Sequence, residues 1–131
     1  MVSIDTNVVV RLLVNDDPVQ TKKVVTLFTS NEVFITKTVI LESEWVLRAV
    51  YQLDRERSNS ALRALFSLER VVIEDETSVL AALDAHKLGM DFADALHLSS
   101  SSLADSFATF DSALRKRAAK LSLQPLVTGL K

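Results

Sequence analysis

Residues 2–18, VSIDTNVVVRLLVNDDP, show a strand-to-helix pattern from which the fold class can be predicted. Val2 to Asp5 is a short apolar segment typical of a strand, and the residues from about Asn7 to Val14 have apolar side chains at helical spacing. Pro18 then follows the turn residues NDD and is placed to begin another helix. A short strand that runs directly into a helix is the repeating unit of α/β proteins, so this stretch predicts a βα unit.

The same alternation continues along the rest of the chain. Short apolar segments at 33–36, 71–73, 107–110 and 126–128 indicate four further strands. Strands that are apolar on both faces, such as VSI, VFI and VVI, favour a parallel sheet covered by helices on both sides. The sequence therefore predicts a three-layer α/β/α sandwich with a central parallel sheet of four to five strands. The remaining predicted helices cover 18–30, 38–51 with Thr38 as cap, 55–68, 76–88 ended by Gly89, 91–102 and 112–120.

Composition narrows the class of protein. The chain has 131 residues, 48% of them hydrophobic, which predicts a single globular domain over residues 1–131. The absence of cysteine excludes disulfide frameworks and zinc fingers. The apolar runs are too short to span a membrane and the N-terminal residues lack a signal sequence, so we expect a soluble, cytoplasmic protein with no membrane partner. The net charge of −2 means that binding of nucleic acid requires metal ions or a local basic patch, such as the segment 115–120.

Acidic residues stand at the predicted strand ends and helix starts. Asp5 ends the first strand and Asp111 ends the fourth, so a single parallel sheet would place both at one edge. Asp91 and Asp94 share one face of a helix, where their charges repel. Asp5, Asp91 and Asp111 also suit helix N-caps, an alternative that spacing leaves open.

Two glutamates of the helix 38–51 compete for a place in this acidic group. Glu42 has mostly apolar neighbours at helical spacing, an unfavourable setting for a carboxylate without a nearby cation. Glu44 has Arg48 one turn later as a possible ion-pair partner. Helical periodicity does not choose between them.

Several carboxylates at one sheet edge require a counter-charge. Oxygen donors without His or Cys suit Mg²⁺ or Mn²⁺, which bind through a few carboxylates together with phosphate oxygens. Such ions activate water for attack on a phosphodiester and stabilise the charge that develops there. The acidic residues therefore favour metal-dependent phosphodiester hydrolysis.

Four segments in this order, IDTNVVVRLL, ILESEWVLRAVY, GMDFADALHL and FATFD, resemble the PIN-domain ribonucleases, and in particular the VapC-type toxins of bacterial toxin–antitoxin modules. The resemblance covers essentially the whole chain and implies a single PIN domain over residues 1–131. Through the pattern E-x-x-W-V-L it selects Glu42 over Glu44. It implies that the metal-binding catalytic carboxylates are Asp5, Glu42, Asp94 and Asp111. It also implies an accessory ligand, Asp91, and three groups that orient the carboxylates, Thr6, Asn7 and Thr109.

The same resemblance implies an activity and partners. It implies a Mg²⁺- or Mn²⁺-dependent endoribonuclease that acts on RNA, forms a homodimer and is inhibited by a small VapB-type antitoxin. Two other classes stay open: a receiver-like domain, for which Glu74 and Asp75 after the third strand are weak candidates, and a catalytically silent binding module. Arg11 either holds a substrate phosphate or forms an ion pair with Asp16 or Asp17. Tyr51 belongs to an apolar run that favours core packing or a dimer contact.

Overall fold

The computed structural model describes residues 1–130. Within this range the chain forms seven α-helices and five strands, and every strand pair is parallel. The predicted mixed α/β class is therefore confirmed. The elements are β1 (Val2–Ser3), α1 (Thr6–Leu13), α2 (Pro18–Ser30), β2 (Val33–Ile35), α3 (Lys37–Ala49), α4 (Arg55–Ala64) followed by a 3₁₀ turn (Leu65–Ser67), β3 (Val71–Ile73), α5 (Glu76–Lys87), α6 (Phe92–Ser99), β4 (Ser106–Thr109), α7 (Ser112–Lys120) and β5 (Leu126–Gly129).

The chain divides into two compact units, Met1–Glu76 and Thr77–Lys131. The first unit contains β1 to β3 and helices α1 to α4, and the second contains almost all of α5 together with α6, α7, β4 and β5. No helix within residues 1–130 is long and apolar enough to cross a membrane.

The strands form two sheets, which differs from the single central sheet of four to five strands that the sequence predicted. β1, β2 and β3 form a three-stranded sheet in that order, and β4 pairs with β5 in a separate sheet. The expectation that Asp5 and Asp111 follow strands of one sheet was therefore wrong. β1 has only two residues because the chain turns into α1 at Thr6, and the backbone N–H groups of Val2 and Ile4 both bond to the β2 side.

The core of the first unit lies between its sheet and its helices. Val33 and Ile35 of β2 are fully buried, in keeping with the predicted burial of this strand. Val9 of α1, Ile40 and Leu47 of α3 are buried as well, and α1 packs on both α2 and α3. This packing fixes α1 and α3, the two helices that carry acidic candidates of this unit.

In the second unit, α5 and α6 are joined by a reciprocal pair of hydrogen bonds. The Ser78 hydroxyl donates to the Ser99 carbonyl at 3.1 Å, and the Ser99 hydroxyl donates to the Ser78 carbonyl at 2.8 Å. Phe92 is buried and packs edge-on against buried His86, with ring centroids 5.5 Å apart. The Phe92 contact holds the first turn of α6, next to Asp91 and Asp94, and the serine pair holds the last turn.

The helix ends include one that the sequence predicted correctly and one cap that it predicted wrongly. Gly89 follows α5 with a φ of +112°, a conformation that glycine adopts easily, as the sequence predicted. Thr38 does not cap α3. The cap is Thr36, whose hydroxyl accepts from the Val39 N–H at 3.3 Å. The cap therefore lies two residues before the predicted one, and α3 begins at Lys37.

Candidate metal centre

A cleft of about 450 Å³ in the first unit brings Asp5 and Glu42 to one surface. Asp5 lies between β1 and α1, and Glu42 projects from α3. A cleft of this size falls in the range of ligand-binding sites in proteins. The remaining lining residues are Thr6, Asn7, Val10, Arg11, Val46, Val50 and Tyr51.

Asp5 is a helix cap that keeps a free carboxylate oxygen. Its Oδ1 accepts a hydrogen bond from the Val8 N–H at 3.2 Å, which caps α1. Within residues 1–130, Oδ2 has no hydrogen-bond partner. Capping and metal binding are therefore compatible at this residue, because each uses a different oxygen.

The two glutamates of α3 have different environments. Glu42 is exposed and lines the cleft, so its carboxylate is open to solvent although apolar residues such as Val46 line the same cleft. Glu44 is only 3% exposed and accepts hydrogen bonds from Arg48 Nε at 3.1 Å and Arg48 Nη2 at 3.4 Å. The expected pairing of Glu44 with Arg48 is confirmed. Glu42 is the glutamate of α3 that shares the cleft with Asp5.

The second unit contains two further caps that keep one oxygen free. Asp91 Oδ2 accepts from the Asp94 N–H at 3.1 Å and caps α6. Asp111 Oδ1 accepts from two N–H groups of the first turn of α7, at 2.9 and 3.1 Å. The second carboxylate oxygen of each residue makes no hydrogen bond within residues 1–130.

Asp94 lies in the first turn of α6 without capping it. Burial raises the pKa of its carboxyl above the usual range, the negative charges of Asp91 and Asp111 raise it further, and His97 opposes them in part. None of these three aspartates forms an ion pair with a Lys or Arg in the described part of the chain. Asp91, Asp94 and Asp111 thus form a cluster of carboxylates that repel one another.

The three residues predicted to orient the carboxylates behave differently from one another. Thr109 Oγ1 accepts from the backbone N–H of Asp111 at 3.0 Å, so it holds the main chain of that residue rather than its side chain. Thr6 is buried in the wall of the first-unit cleft and Asn7 is exposed there. Neither side chain hydrogen bonds to a candidate carboxylate within residues 1–130.

The five predicted ligands thus fall into two sets, Asp5 with Glu42 in the first unit and Asp91, Asp94 and Asp111 in the second. Within residues 1–130, no three acidic or histidine side chains form a ready-made metal site. The donor chemistry nevertheless fits a hard divalent cation, since all five are carboxylates. Asp5, Asp91 and Asp111 each keep one free oxygen, and the Glu42 and Asp94 carboxylates make no hydrogen bond within residues 1–130.

Sequence patterns left Arg11 unresolved and missed the role of Tyr51. Arg11 Nη1 forms an ion pair with Asp16 and lies 3.2 Å from the Tyr51 hydroxyl, which also donates to Asp16 at 2.9 Å. These bonds raise the pKa of Arg11 and lower that of Asp16, mainly through the bond between the two. Arg11 and Tyr51 are 40 residues apart, so no local signal could have found this contact.

The acidic residues of a possible receiver site have structural partners. Glu74 Oε1 accepts from the Lys37 N–H at 2.8 Å, and Asp75 forms an ion pair with Lys37 Nζ at 2.9 Å. These contacts join the end of β3 to the start of α3. They give Glu74 and Asp75 a role in the fold and do not favour a phosphoacceptor pocket.

Comparison with protein families identifies the fold. The sequence model of the PIN domain matches residues 2–120, so the chain belongs to the PIN domain family. The PIN domain is a nuclease fold whose members are typically hydrolases of RNA or DNA that use divalent metals such as Mg²⁺. Searches of curated proteins and of solved structures gave no significant match.

Proposed function

We propose that this protein is a Mg²⁺- or Mn²⁺-dependent endoribonuclease and the toxin of a VapC-type toxin–antitoxin module. The observation that carries the nuclease proposal is the match to the PIN domain family over residues 2–120, and the like charges of Asp91 and Asp111 near Asp94 support it. Carboxylates that crowd together without a basic partner destabilise the protein unless a cation neutralises them. Divalent ions that prefer oxygen ligands supply that charge.

In this proposal the predicted carboxylates hold a divalent cation. Asp5, Glu42, Asp94 and Asp111 are the ligands and Asp91 is an accessory ligand. The bound cation activates water and stabilises the negative charge that develops on the phosphoryl group. The caps matter because a carboxylate with one oxygen fixed on a helix N-terminus presents the other in a defined direction.

The finer parts of the proposal rest on the four sequence segments that resemble VapC-type toxins. They support RNA as the substrate, a small VapB-type antitoxin as the inhibitor, a homodimer as the assembly and the cytoplasm as the location. The net charge of −2 is compatible with RNA binding because metal ions and local cations provide the positive charge.

A cleavage assay tests the proposal. Purified wild type, Asp94→Asn and the control Glu44→Gln are incubated with structured RNAs, including tRNAs, and with DNA of the same sequences. Each reaction is run with Mg²⁺, with Mn²⁺ and with chelator. We expect wild type and Glu44→Gln to cut RNA only when metal is present, and Asp94→Asn to be inactive. Absence of cleavage by wild type across the panel, or equal cleavage by Asp94→Asn, would contradict the proposal.

A further inference from the structure

We propose that Arg11 is a phosphate-binding residue of the first-unit cleft. Its guanidinium binds a backbone phosphate of the substrate beside Asp5 and Glu42, and Asp16 and Tyr51 are positioning residues that hold the guanidinium for this contact. The inference rests on the proposed nuclease function, since it assigns a substrate contact for that reaction.

The position of Arg11 is the first support. It lies on α1, the helix that Asp5 caps, and its side chain lines the same cleft as Asp5 and Glu42. It is the one cationic residue among those that line this cleft within residues 1–130. Its side chain is 21% exposed, so a ligand can reach part of it while the rest is desolvated, which strengthens electrostatic contacts.

The need for a local cation is the second support. Residues 1–76 contain twelve Asp and Glu against nine Lys and Arg, a net charge of −3. A polyanionic strand is therefore repelled by this unit as a whole. A bound metal ion would offset part of this repulsion, and Arg11 is placed to add a second positive group inside the Asp5–Glu42 cleft.

The third support is that Arg11 is restrained from one side. Arg11 Nη1 contacts both Asp16 Oδ1 and the Tyr51 hydroxyl, and the hydroxyl donates to Asp16 Oδ2. The three side chains, called the Arg11 cluster below, form a closed ring of hydrogen bonds. A guanidinium held in this way loses less conformational freedom when a ligand binds.

The fourth support is that Arg11 has unused donors. A guanidinium has five N–H groups, and the Arg11 cluster engages only those on Nη1. Nε is buried and has no hydrogen-bond acceptor within residues 1–130. Nη2 makes no bond there either and is the donor left for a ligand. Buried donors without an acceptor are rare in native proteins. The planar arrangement of guanidinium donors matches the oxygens of a phosphate.

A purely structural role makes a different prediction from phosphate binding. If the Arg11 cluster only fastens α1 to the loop at Asp16 and to the end of α3, then Arg11→Gln and Asp16→Asn both lower stability and leave RNA affinity unchanged. If Arg11 binds phosphate, Arg11→Gln weakens RNA binding. Asp16→Asn strengthens it in that case, because it removes a negative charge that competes with the phosphate while an acceptor oxygen remains.

The experiment measures the Kd of a fluorescein-labelled mixed-sequence RNA by anisotropy, in chelator, over a series of salt concentrations. The proteins are wild type, Arg11→Gln, Arg11→Lys, Asp16→Asn and the control Arg57→Gln. Arg57 is an exposed arginine of the same unit whose side chain has no hydrogen bond within residues 1–130. The same RNA is used for kcat and KM in Mn²⁺, a DNA of the same sequence is compared, and thermal melts check that each variant folds.

We expect Arg11→Gln to raise Kd by about 10- to 100-fold and KM in parallel, the loss expected for a hydrogen bond between charged groups. The slope of log Kd against log salt should fall by about 0.7, the value for one phosphate of a single strand. Arg11→Lys should raise Kd by several-fold, since it keeps the charge but not the planar donors. Asp16→Asn should lower Kd, and Arg57→Gln should leave it unchanged.

The outcomes separate this inference from the proposed function. Metal-dependent cleavage with the same Kd for wild type and Arg11→Gln overturns the phosphate-binding role and leaves the nuclease intact. A raised Kd for Arg11→Gln without cleavage by wild type rejects the nuclease and supports the phosphate site. Equal losses for Arg11→Gln and Arg57→Gln, or parallel losses of stability in Arg11→Gln and Asp16→Asn without a change in Kd, also overturn the inference.

Discussion

The Asp94→Asn substitution should change the stability of the protein in opposite directions with and without metal. Two like charges, Asp91 and Asp111, act on Asp94. Asp91 lies three residues before Asp94, and a like-charge pair at this spacing costs about 0.2–0.5 kcal/mol. Partial burial of the Asp94 carboxyl and the Asp111 charge also disfavour its ionised form. The dipole of α6 favours a negative charge in its first turn by about 0.3–1 kcal/mol. These contributions are of similar size, so the direction of the pKa shift decides the sign.

Because the pKa of Asp94 is raised, the folded protein disfavours its ionised form. The neutral amide should therefore stabilise the metal-free protein at pH 7, by up to about 0.5 kcal/mol or about 1–3 °C in Tm. Below the ordinary pKa of 3.8 the carboxyl is protonated in both the folded and unfolded states, so the difference from Asn disappears. It develops as pH rises through the raised pKa of the folded state.

With bound metal, wild type should be more stable than Asp94→Asn, the reverse of the order expected in chelator. An ion present at 100 times its Kd stabilises the folded state by about 2.7 kcal/mol. Wild type should gain this stability in Mn²⁺, and Asp94→Asn should gain much less. The assay is thermal unfolding in chelator and in Mn²⁺ at several pH values, with Asp105→Asn, an exposed aspartate of the same unit, as the matched control.

Two results would contradict the predicted role of Asp94 as a metal ligand. A loss of more than about 1 kcal/mol for Asp94→Asn in chelator would mean that the carboxylate has a structural role, since charge repulsion predicts no loss. An equal Mn²⁺ shift for wild type and Asp94→Asn would mean that Asp94 does not hold the ion.

Three further substitutions test separate parts of the structure. Asp111→Ala should cost about 0.5–2 kcal/mol in urea unfolding because α7 loses its cap, whereas Asp111→Asn should keep that stability and lose activity; equal stability of both variants would argue against the cap. Glu44→Gln should cost about 1–3 kcal/mol through its buried bonds to Arg48 while cleavage continues, and loss of cleavage in the folded variant would place Glu44 in the active site. Gly89→Ala should lower stability by about 1–2 kcal/mol because its φ is +112°, and an unchanged Tm would contradict that backbone conformation.

Local patterns predicted most of the elements. The bounds of α2, β3 and α7 agree with the predictions to the residue. Both helices begin at a clear local signal, since Pro18 is the first residue of α2 and Asp111 caps α7. Helix α6 ends at Ser99, three residues earlier than predicted. The Ser101 hydroxyl donates to the His97 carbonyl at 2.7 Å and competes with a further helical turn.

Strand pairing was not predictable from the same patterns. Five apolar segments were expected to join one sheet, but β4 and β5 pair only with each other within residues 1–130. Apolar character indicates that a segment is a strand, yet which strands hydrogen bond to one another depends on packing over long sequence distances. Burial differs as well, since β2 has two fully buried residues and alternate residues of β4 are exposed.

In the candidate site, too, local features were predictable from the sequence and long-range contacts were not. Capping chemistry at Asp5, Asp91 and Asp111 was readable because a cap depends on the next three residues. The choice between Glu42 and Glu44 was not, because both satisfy helical spacing and differ only in what α3 packs against.

Titration with Mn²⁺ is the decisive test of the proposal that the predicted carboxylates hold a divalent cation. Isothermal titration calorimetry would compare wild type, Asp5→Asn and Asp94→Asn, which replace one carboxylate in each unit. Asn keeps the N-cap oxygen at position 5, so the fold should persist. We predict Mn²⁺ binding by wild type and at least about tenfold weaker binding in each variant, the size expected for loss of a ligand or its support. Wild-type affinity in either variant would mean that the carboxylate it replaces does not hold the ion, and absence of Mn²⁺ binding by wild type would contradict the proposal.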